Sequence, residues 1–148
     1  MEHRARHRTL IGIAAVAIAG GVVWVVGVRG HSAAAPPAQS TASVDIPADR
    51  FVPNVTVVQE GGRVTFHNGD ADEHTVTSVP GDPVTFNLAV EPGRTVTLEL
   101  PRAGIYRYYC SVHATYDTRT GQVAGRDGTD NPMEPMAGVV VAEPRWTQ

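Results

Sequence analysis

Cys110 and His113 are the residues of this 148-residue chain whose types and spacing most clearly indicate chemistry. Cys110 is the only cysteine, and it ends a segment rich in residues that favour β-structure. A thiolate and an imidazole three residues apart are good ligands for a soft or borderline transition metal, if the fold supplies at least one more. With a single cysteine an intramolecular disulfide is excluded, so the domain must be stabilised by its own core.

Two further candidate ligands lie elsewhere in the chain. His74 starts a predicted strand after a polar turn, and Met136 comes just before the last predicted strand. Two imidazoles, one thiolate and one thioether are a donor set for copper. The sulfurs favour Cu(I) and the imidazoles also accept Cu(II), so the ion can exchange one electron.

Other interpretations of the cysteine compete with metal binding. For Cys110 alone, a buried inert thiol is the more common fate. A cysteine nucleophile activated by a histidine is a third class. It is disfavoured because no helix starts after Cys110 and no residue is evident that would orient the base.

The elements that must position these residues are short strands. From Val44 onward the sequence alternates or is β-branched, and Gly, Pro, Asn and Asp interrupt it. The pattern predicts an all-β domain of about eight strands with no convincing helix, a two-sheet sandwich or small barrel. The predicted strands are Val44 to Ile46, Val55 to Gln59, Arg63 to His67, Thr75 to Val79, Val84 to Leu88, Arg94 to Leu100, Gly104 to Cys110 and Gly138 to Ala142.

The segment 114–135 breaks this pattern because it contains few large apolar residues. It predicts a long loop, of a length that is uncommon unless the loop is functional or mobile.

The N-terminal residues 1–30 form a separate unit. An uncharged run of 19 residues, Leu10 to Val28, follows three arginines and is close to the ~20 residues needed to cross a hydrocarbon core. We expect an uncleaved membrane anchor, in preference to a cleaved signal peptide, with everything after Arg29 outside the cytoplasm. Residues 31–43 are rich in Ala, Pro and Ser and predict a linker, which leaves 44–148 as the folded domain.

The charge of the domain limits its partners. From Val44 onward 14 acidic residues outnumber eight arginines, which gives a net charge of −6. An acidic domain argues against nucleic acid as a partner. It is compatible with a basic protein partner, although acidity alone often serves only solubility.

Taken together, these segments resemble the cupredoxins, the small blue-copper proteins, and most closely their plastocyanin and amicyanin-like branch. The resemblance covers the domain from end to end, in family order. The matching segments are Phe51-Val52-Pro53, Val64 to Asp70, Glu73-His74-Thr75-Val76, Gly104 to His113 and Met136 to Val141.

The resemblance implies a Greek-key β-sandwich in which His74, Cys110 and His113 form the trigonal ligand plane of one type 1 copper ion and Met136 is the weak axial ligand. It implies a one-electron carrier rather than an enzyme. We therefore expect a monomer that meets redox proteins at its copper end and has no small-molecule substrate.

Two departures from the family pattern qualify this expectation. Thr75 stands where many relatives have an asparagine, and Met136 lies 23 residues after His113, where relatives need only a few. Met133 is therefore a competing axial ligand. The insertion at 114–135 would lie at the copper end, where it would define the partner or cover the site.

The same ligands would also suit two other copper functions. A copper-binding or copper-delivery cupredoxin at the membrane surface, without electron transfer, remains the alternative function. A multicopper enzyme would need further histidines beside Cys110 and a second domain, and the sequence has neither.

Overall fold

The computed structural model describes residues 39–126 and 134–145, and in these residues the fold is all-β. The predicted membrane segment 1–30, most of the linker and Met133 lie outside this part. No helix in the described ranges is long and apolar enough to cross a bilayer. The described strands are β1 (Gln39–Ile46), β2 (Val55–Asn68), β3 (His74–Ser78), β4 (Asn87–Val90), β5 (Thr95–Glu99), β6 (Gly104–Tyr109), β7 (Ala114–Asp117), β8 (Gln122–Gly125) and β9 (Ala137–Glu143).

The 14-residue strand β2 corrects one prediction. The sequence predicted two strands separated by a turn at Glu60-Gly61-Gly62, but the chain bends there without reversing. Gly61 has a φ of 76°, a conformation that glycine adopts without steric cost. Its N–H donates to the carbonyl of Leu100 at 2.7 Å, so hydrogen bonding to the adjacent segment of the sheet continues through the bend.

Because of this bend, β2 is shared by two groups of strands, here called layers, within one seven-stranded sheet. Its first half pairs in parallel with β9, which continues through β6 and β3 to β4. Its second half pairs with β5 in antiparallel and with β1 in parallel. The predicted strand Val84 to Leu88 is displaced, since pairing with β3 begins only at Asn87 and extends to Val90.

The core lies between the two layers. Phe66 from the second half of β2 meets Tyr108 from β6 edge to face, with ring centroids 5.2 Å apart, and Phe51 packs on Tyr108 at 4.8 Å. Gly138 lies opposite Tyr108 in the β6–β9 register, and a side chain there would overlap the tyrosine ring. Glycine at this position therefore lets the ring pack against β9.

Strands β7 and β8 lie inside the segment that the sequence predicted as an irregular loop. They form a separate two-stranded hairpin, with Ala114 opposite Gly125 and Asp117 opposite Gln122. Its Tyr116 stacks on Tyr109 at the end of β6, with ring centroids 6.4 Å apart. The hairpin starts directly after His113, and this stack places it against β6, the strand that precedes Cys110.

Candidate metal centre

Neighbouring strands carry the candidate ligands to one end of the seven-stranded sheet. His74 is the first residue of β3 and Cys110 follows the last residue of β6, and these strands pair in antiparallel. After Cys110 the chain turns, because the N–H groups of His113 and Ala114 both donate to the Cys110 carbonyl, at 3.2 and 2.8 Å. The turn brings the His113 ring back beside the thiol.

The three donor atoms lie close together. The Nδ1 atoms of His74 and His113 are 3.1 Å apart, and the Cys110 Sγ lies 3.8 Å from the first and 3.5 Å from the second. His74 and Cys110 are fully buried, whereas the His113 side chain keeps 13% of its surface exposed. The structure thus brings together the three residues that the sequence proposed as the ligand plane.

This spacing suits a trigonal metal ion. Bonds of about 2.0 Å to imidazole nitrogen and about 2.3 Å to thiolate, at 120° to one another, place the nitrogens about 3.5 Å apart and each about 3.7 Å from sulfur. The donor distances of 3.1, 3.5 and 3.8 Å agree with this triangle to within a few tenths of an ångström. A trigonal His₂Cys set is characteristic of blue-copper sites.

Hydrogen bonds prepare Cys110 to act as a thiolate. Burial alone raises the pKa of the thiol, but a hydrogen bond with the His74 ring and the backbone N–H groups of Thr75, His113 and Val112 outweigh burial and lower the pKa to about 6. The Thr75 N–H donates to Sγ at 3.3 Å. These contacts therefore favour the thiolate, which is the form that a metal requires.

Met136 lies beside this group. Its carbonyl accepts the N–H of Cys110 at 2.9 Å, its side chain is 3% exposed, and it belongs to the same buried cluster as Cys110. Met133, the competing axial candidate, lies outside the described residues. The axial role of Met136 remains a prediction.

Thr75 and Ser111, the residues that follow His74 and Cys110, contact each other. The Ser111 N–H donates to Thr75 Oγ1 at 2.7 Å, and the two hydroxyl oxygens are 3.0 Å apart. These bonds tie the start of β3 to the Cys110 turn. Thr75 thus links the two ligand-bearing segments through its own side chain, at the position where many relatives have an asparagine.

Two carboxylates at the site were not predicted from the sequence. Asp70 lies in the polar turn before β3, and its Oδ2 accepts from His74 Nε2 at 3.1 Å. Asp49, 7% exposed, places Oδ1 3.5 Å from His113 Nε2 and 3.9 Å from His74 Nε2. The available signal was the spacing of four residues between Asp70 and His74; Asp49 gave no local signal.

Other polar and aromatic residues near the candidate ligands lie on the surface or in the core. His67 is exposed and its Nδ1 lies 3.2 Å from the Thr95 hydroxyl, while Asp72 and Glu73 are also exposed. Tyr106 is buried and donates to the carbonyl of Arg102 at 2.6 Å. These residues therefore belong to the surface and the core rather than to the ligand group.

Comparison with known proteins identifies the family. The family model of the cupredoxin-like domain matches residues 16–123, more than half of the chain. The chain belongs to the cupredoxin-like family. No curated protein sequence matches it.

Solved structures of amicyanin resemble this cupredoxin. A Cu(I) form of an amicyanin mutant is 26% identical with a TM-score of 0.51, and an oxidised mutant is 25% identical with a TM-score of 0.51. Each match covers 72% of this chain and 85% of the amicyanin chain. A purple cupredoxin from Nitrosopumilus maritimus is 21% identical over 69% of this chain and 99% of its own, with a TM-score of 0.48.

In this cupredoxin, the group formed by His74, Cys110, His113 and Met136 fits one type 1 copper ion. The four residues offer the types of donor that such an ion takes, and three of their donor atoms already have the required spacing.

Proposed function

We propose that this chain is a mononuclear type 1 copper protein that carries single electrons outside the cytoplasm. The observation that supports the proposal best is the buried Cys110 thiol with the Nδ1 atoms of two histidines 3.5 and 3.8 Å away. In this proposal His74, Cys110 and His113 hold the ion in their plane and Met136 is the weak axial ligand, within a Greek-key cupredoxin sandwich.

Copper, when bound, supplies a one-electron Cu(II)/Cu(I) couple. The protein's part is to keep the ligands in place. His74 is anchored in β3, Cys110 follows β6, and the Thr75–Ser111 hydrogen bonds join the two segments. Ligands held from two directions change position little when the charge of the ion changes.

The exposure of the ligands indicates where electrons enter and leave. His74 and Cys110 are fully buried, so the His113 edge is the part of the ligand plane that reaches the surface. Exposed Val112 and the β7–β8 hairpin flank it in sequence. We propose that redox proteins dock here, on a monomeric carrier, and that the hairpin contributes to their selection.

The same burial favours a carrier over an enzyme or a copper-delivery protein. An electron can reach the ion through the His113 ring without any ligand moving. A substrate molecule, or a protein that receives copper, must displace ligands, and two of them are enclosed by the core. Electron transfer therefore requires less rearrangement than either alternative.

Reconstitution of the copper-free full-length chain with Cu(II) tests this function. The carrier is supported by an intense visible thiolate-to-copper absorption band together with a reversible one-electron potential. A colourless protein that binds only Cu(I) or zinc would support copper binding or delivery instead.

The axial ligand is tested by replacing Met136 and Met133 separately with alanine. The Met136→Ala change should alter the visible spectrum, and Met133→Ala should leave it as in the wild type. A spectrum that responds only to Met133→Ala would reject Met136.

We also propose that residues 1–30 anchor the protein in the membrane, with the copper domain on the extracytoplasmic side. The support is the arginine-rich flank followed by 19 uncharged residues. Membrane fractionation and N-terminal sequencing of the mature protein test this proposal. Cleavage before the domain would make the protein secreted or periplasmic instead.

A further inference from the structure

The Asp70 carboxylate accepts a hydrogen bond from the outer nitrogen of the His74 ring, Nε2. Its Oδ2 lies 3.1 Å from His74 Nε2, whereas the other ring nitrogen, Nδ1, faces Cys110 and His113. An ionised carboxylate only accepts hydrogen bonds, so Nε2 must carry a proton, and in the neutral ring that binds a metal Nδ1 then presents its lone pair. The contact therefore selects the form of His74 that can bind a metal through Nδ1.

Backbone groups from a distant loop hold this carboxylate in place. The N–H groups of Ala48 and Asp49 donate to Asp70 Oδ1 and Oδ2, at 2.7 and 3.1 Å. Both residues have positive φ, 49° and 56°, an uncommon conformation outside glycine that turns their N–H groups toward the acid. Three N–H donors therefore converge on this carboxylate, the two backbone groups and the His74 ring.

The backbone of Asp70 is fixed as well. Its N–H donates to the Asn68 side-chain oxygen at 2.9 Å, and the Asn68 amide donates to the carbonyls of Asp72 and Val90, at 2.7 and 2.8 Å. Asn68 is fully buried. The carboxylate thus approaches His74 from a rigid support, which distinguishes it from a mobile acid on an exposed turn.

We propose that Asp70 is a positioning residue of the copper centre, one that orients His74 through Nε2 and whose negative charge favours Cu(II) over Cu(I). The proposal rests on the copper function proposed above. A hydrogen bond from a ligand histidine to a carboxylate makes the imidazole a stronger donor. A fixed anion also stabilises the more positive ion, so both effects lower the reduction potential.

The Asp70→Asn variant tests the proposal, with Asp72→Asn as the matched control. Both changes remove one negative charge from the same turn, but Asp72 is exposed and its side chain has no contact with His74 among the described hydrogen bonds. In Asp70→Asn we expect the Cu(II)-to-Cu(I) affinity ratio to fall about tenfold, a rise in reduction potential of about 59 mV. Asp72→Asn should shift the ratio less than twofold.

A measurement on the wild-type protein tests the proposal even if Asp70→Asn fails to fold. In the diamagnetic Cu(I) form, NMR should show the His74 Nε2 proton, exchanging slowly with solvent. A rapidly exchanging or missing Nε2 proton overturns the proposal, as do equal potential shifts in the two variants. Failure of the copper function itself is distinguishable, because the wild-type protein would then lack the blue band and the reversible couple.

Discussion

The two candidate histidine ligands are held in contrasting ways. His74 opens a strand in the sheet, is fully buried, and has a carboxylate on its outer nitrogen. His113 lies on a turn and is partly exposed, its backbone is held by hydrogen bonds with Cys110 and Arg126, at 3.2 and 2.9 Å, and the carboxylate near its Nε2, that of Asp49, is more distant, at 3.5 Å. The comparison shows a division of roles, since one imidazole sets the geometry of the site while the other connects the site with the surface.

The largest expected effect separates the two ligands directly. His74→Gly and His113→Gly should each lower copper affinity more than about 100-fold, because a lost ligand costs more than a lost outer partner. Added imidazole should restore the visible band of His113→Gly, whose cavity opens to solvent, but should not restore that of His74→Gly. Copper titrations followed by absorption provide the measurement, and equal rescue of both variants would contradict the division of roles.

The second prediction concerns the Cys110 thiol in the copper-free protein. Its pKa of about 6 means that the thiol is protonated below that pH and ionised above it. His74→Asn should raise the midpoint well above 6, since burial is then opposed by fewer hydrogen bonds. In His113→Asn the midpoint should move little, because the backbone N–H at position 113 remains.

Ultraviolet thiolate absorbance as a function of pH measures both midpoints. If His113→Asn raised the midpoint as much as His74→Asn, the two rings would contribute equally to the thiolate, and the comparison would not hold for this property.

A third prediction tests the link between the two ligand-bearing segments. Thr75→Val removes the acceptor of the Ser111 N–H, and leaving such a group unpaired should cost about 1–2 kcal/mol of unfolding free energy. Thr95→Val, the same change at an exposed position, should cost less than about 0.5 kcal/mol. Urea denaturation of the two copper-free variants and the wild type measures these free energies. Similar losses in both variants would show that the Thr75–Ser111 hydrogen bond does not stabilise the fold.

The smallest effect is expected in the hairpin. Tyr116→Ala removes the stacking on Tyr109 and should cost about 0.5–1.5 kcal/mol. The absorption band of the copper form should keep its position, because the ligand plane does not include the hairpin. Thermal unfolding and a visible spectrum test both statements; a displaced band would show that the hairpin helps to set the ligand geometry.

Much of the site could be predicted because its signals are local. Alternating residues such as Val96 and Leu98 predicted a strand, which is confirmed as β5. The candidate ligands lie at the ends of strands, next to turns whose residue types can be recognised in the sequence. The types of donor atom then narrowed the choice of metal ion to copper. The strands were predicted where a few neighbouring residues carried the information.

The remaining features depend on contacts between distant parts of the chain. Gly61 and Gly62 are typical of a turn, but here they form hydrogen bonds with Leu100, and the chain bends instead of reversing. The four-residue strands β7 and β8 are held by pairing and by the Tyr109–Tyr116 stack, without a clear apolar alternation. The role of Asp70 depends on Ala48, 22 residues earlier, which no local pattern reveals.

The hydrogen bond from the Cys110 N–H to the Met136 carbonyl has a consequence for evolution and for engineering. It joins the residues that flank segment 111–135, so the length of the part that follows His113, residues 114–135, is uncoupled from the positions of the ligands. Doubling such a loop costs only about 0.6 kcal/mol of closure entropy. Mutation can therefore lengthen, shorten or exchange the segment at the copper end, which allows a lineage to acquire new partners while its redox centre stays the same.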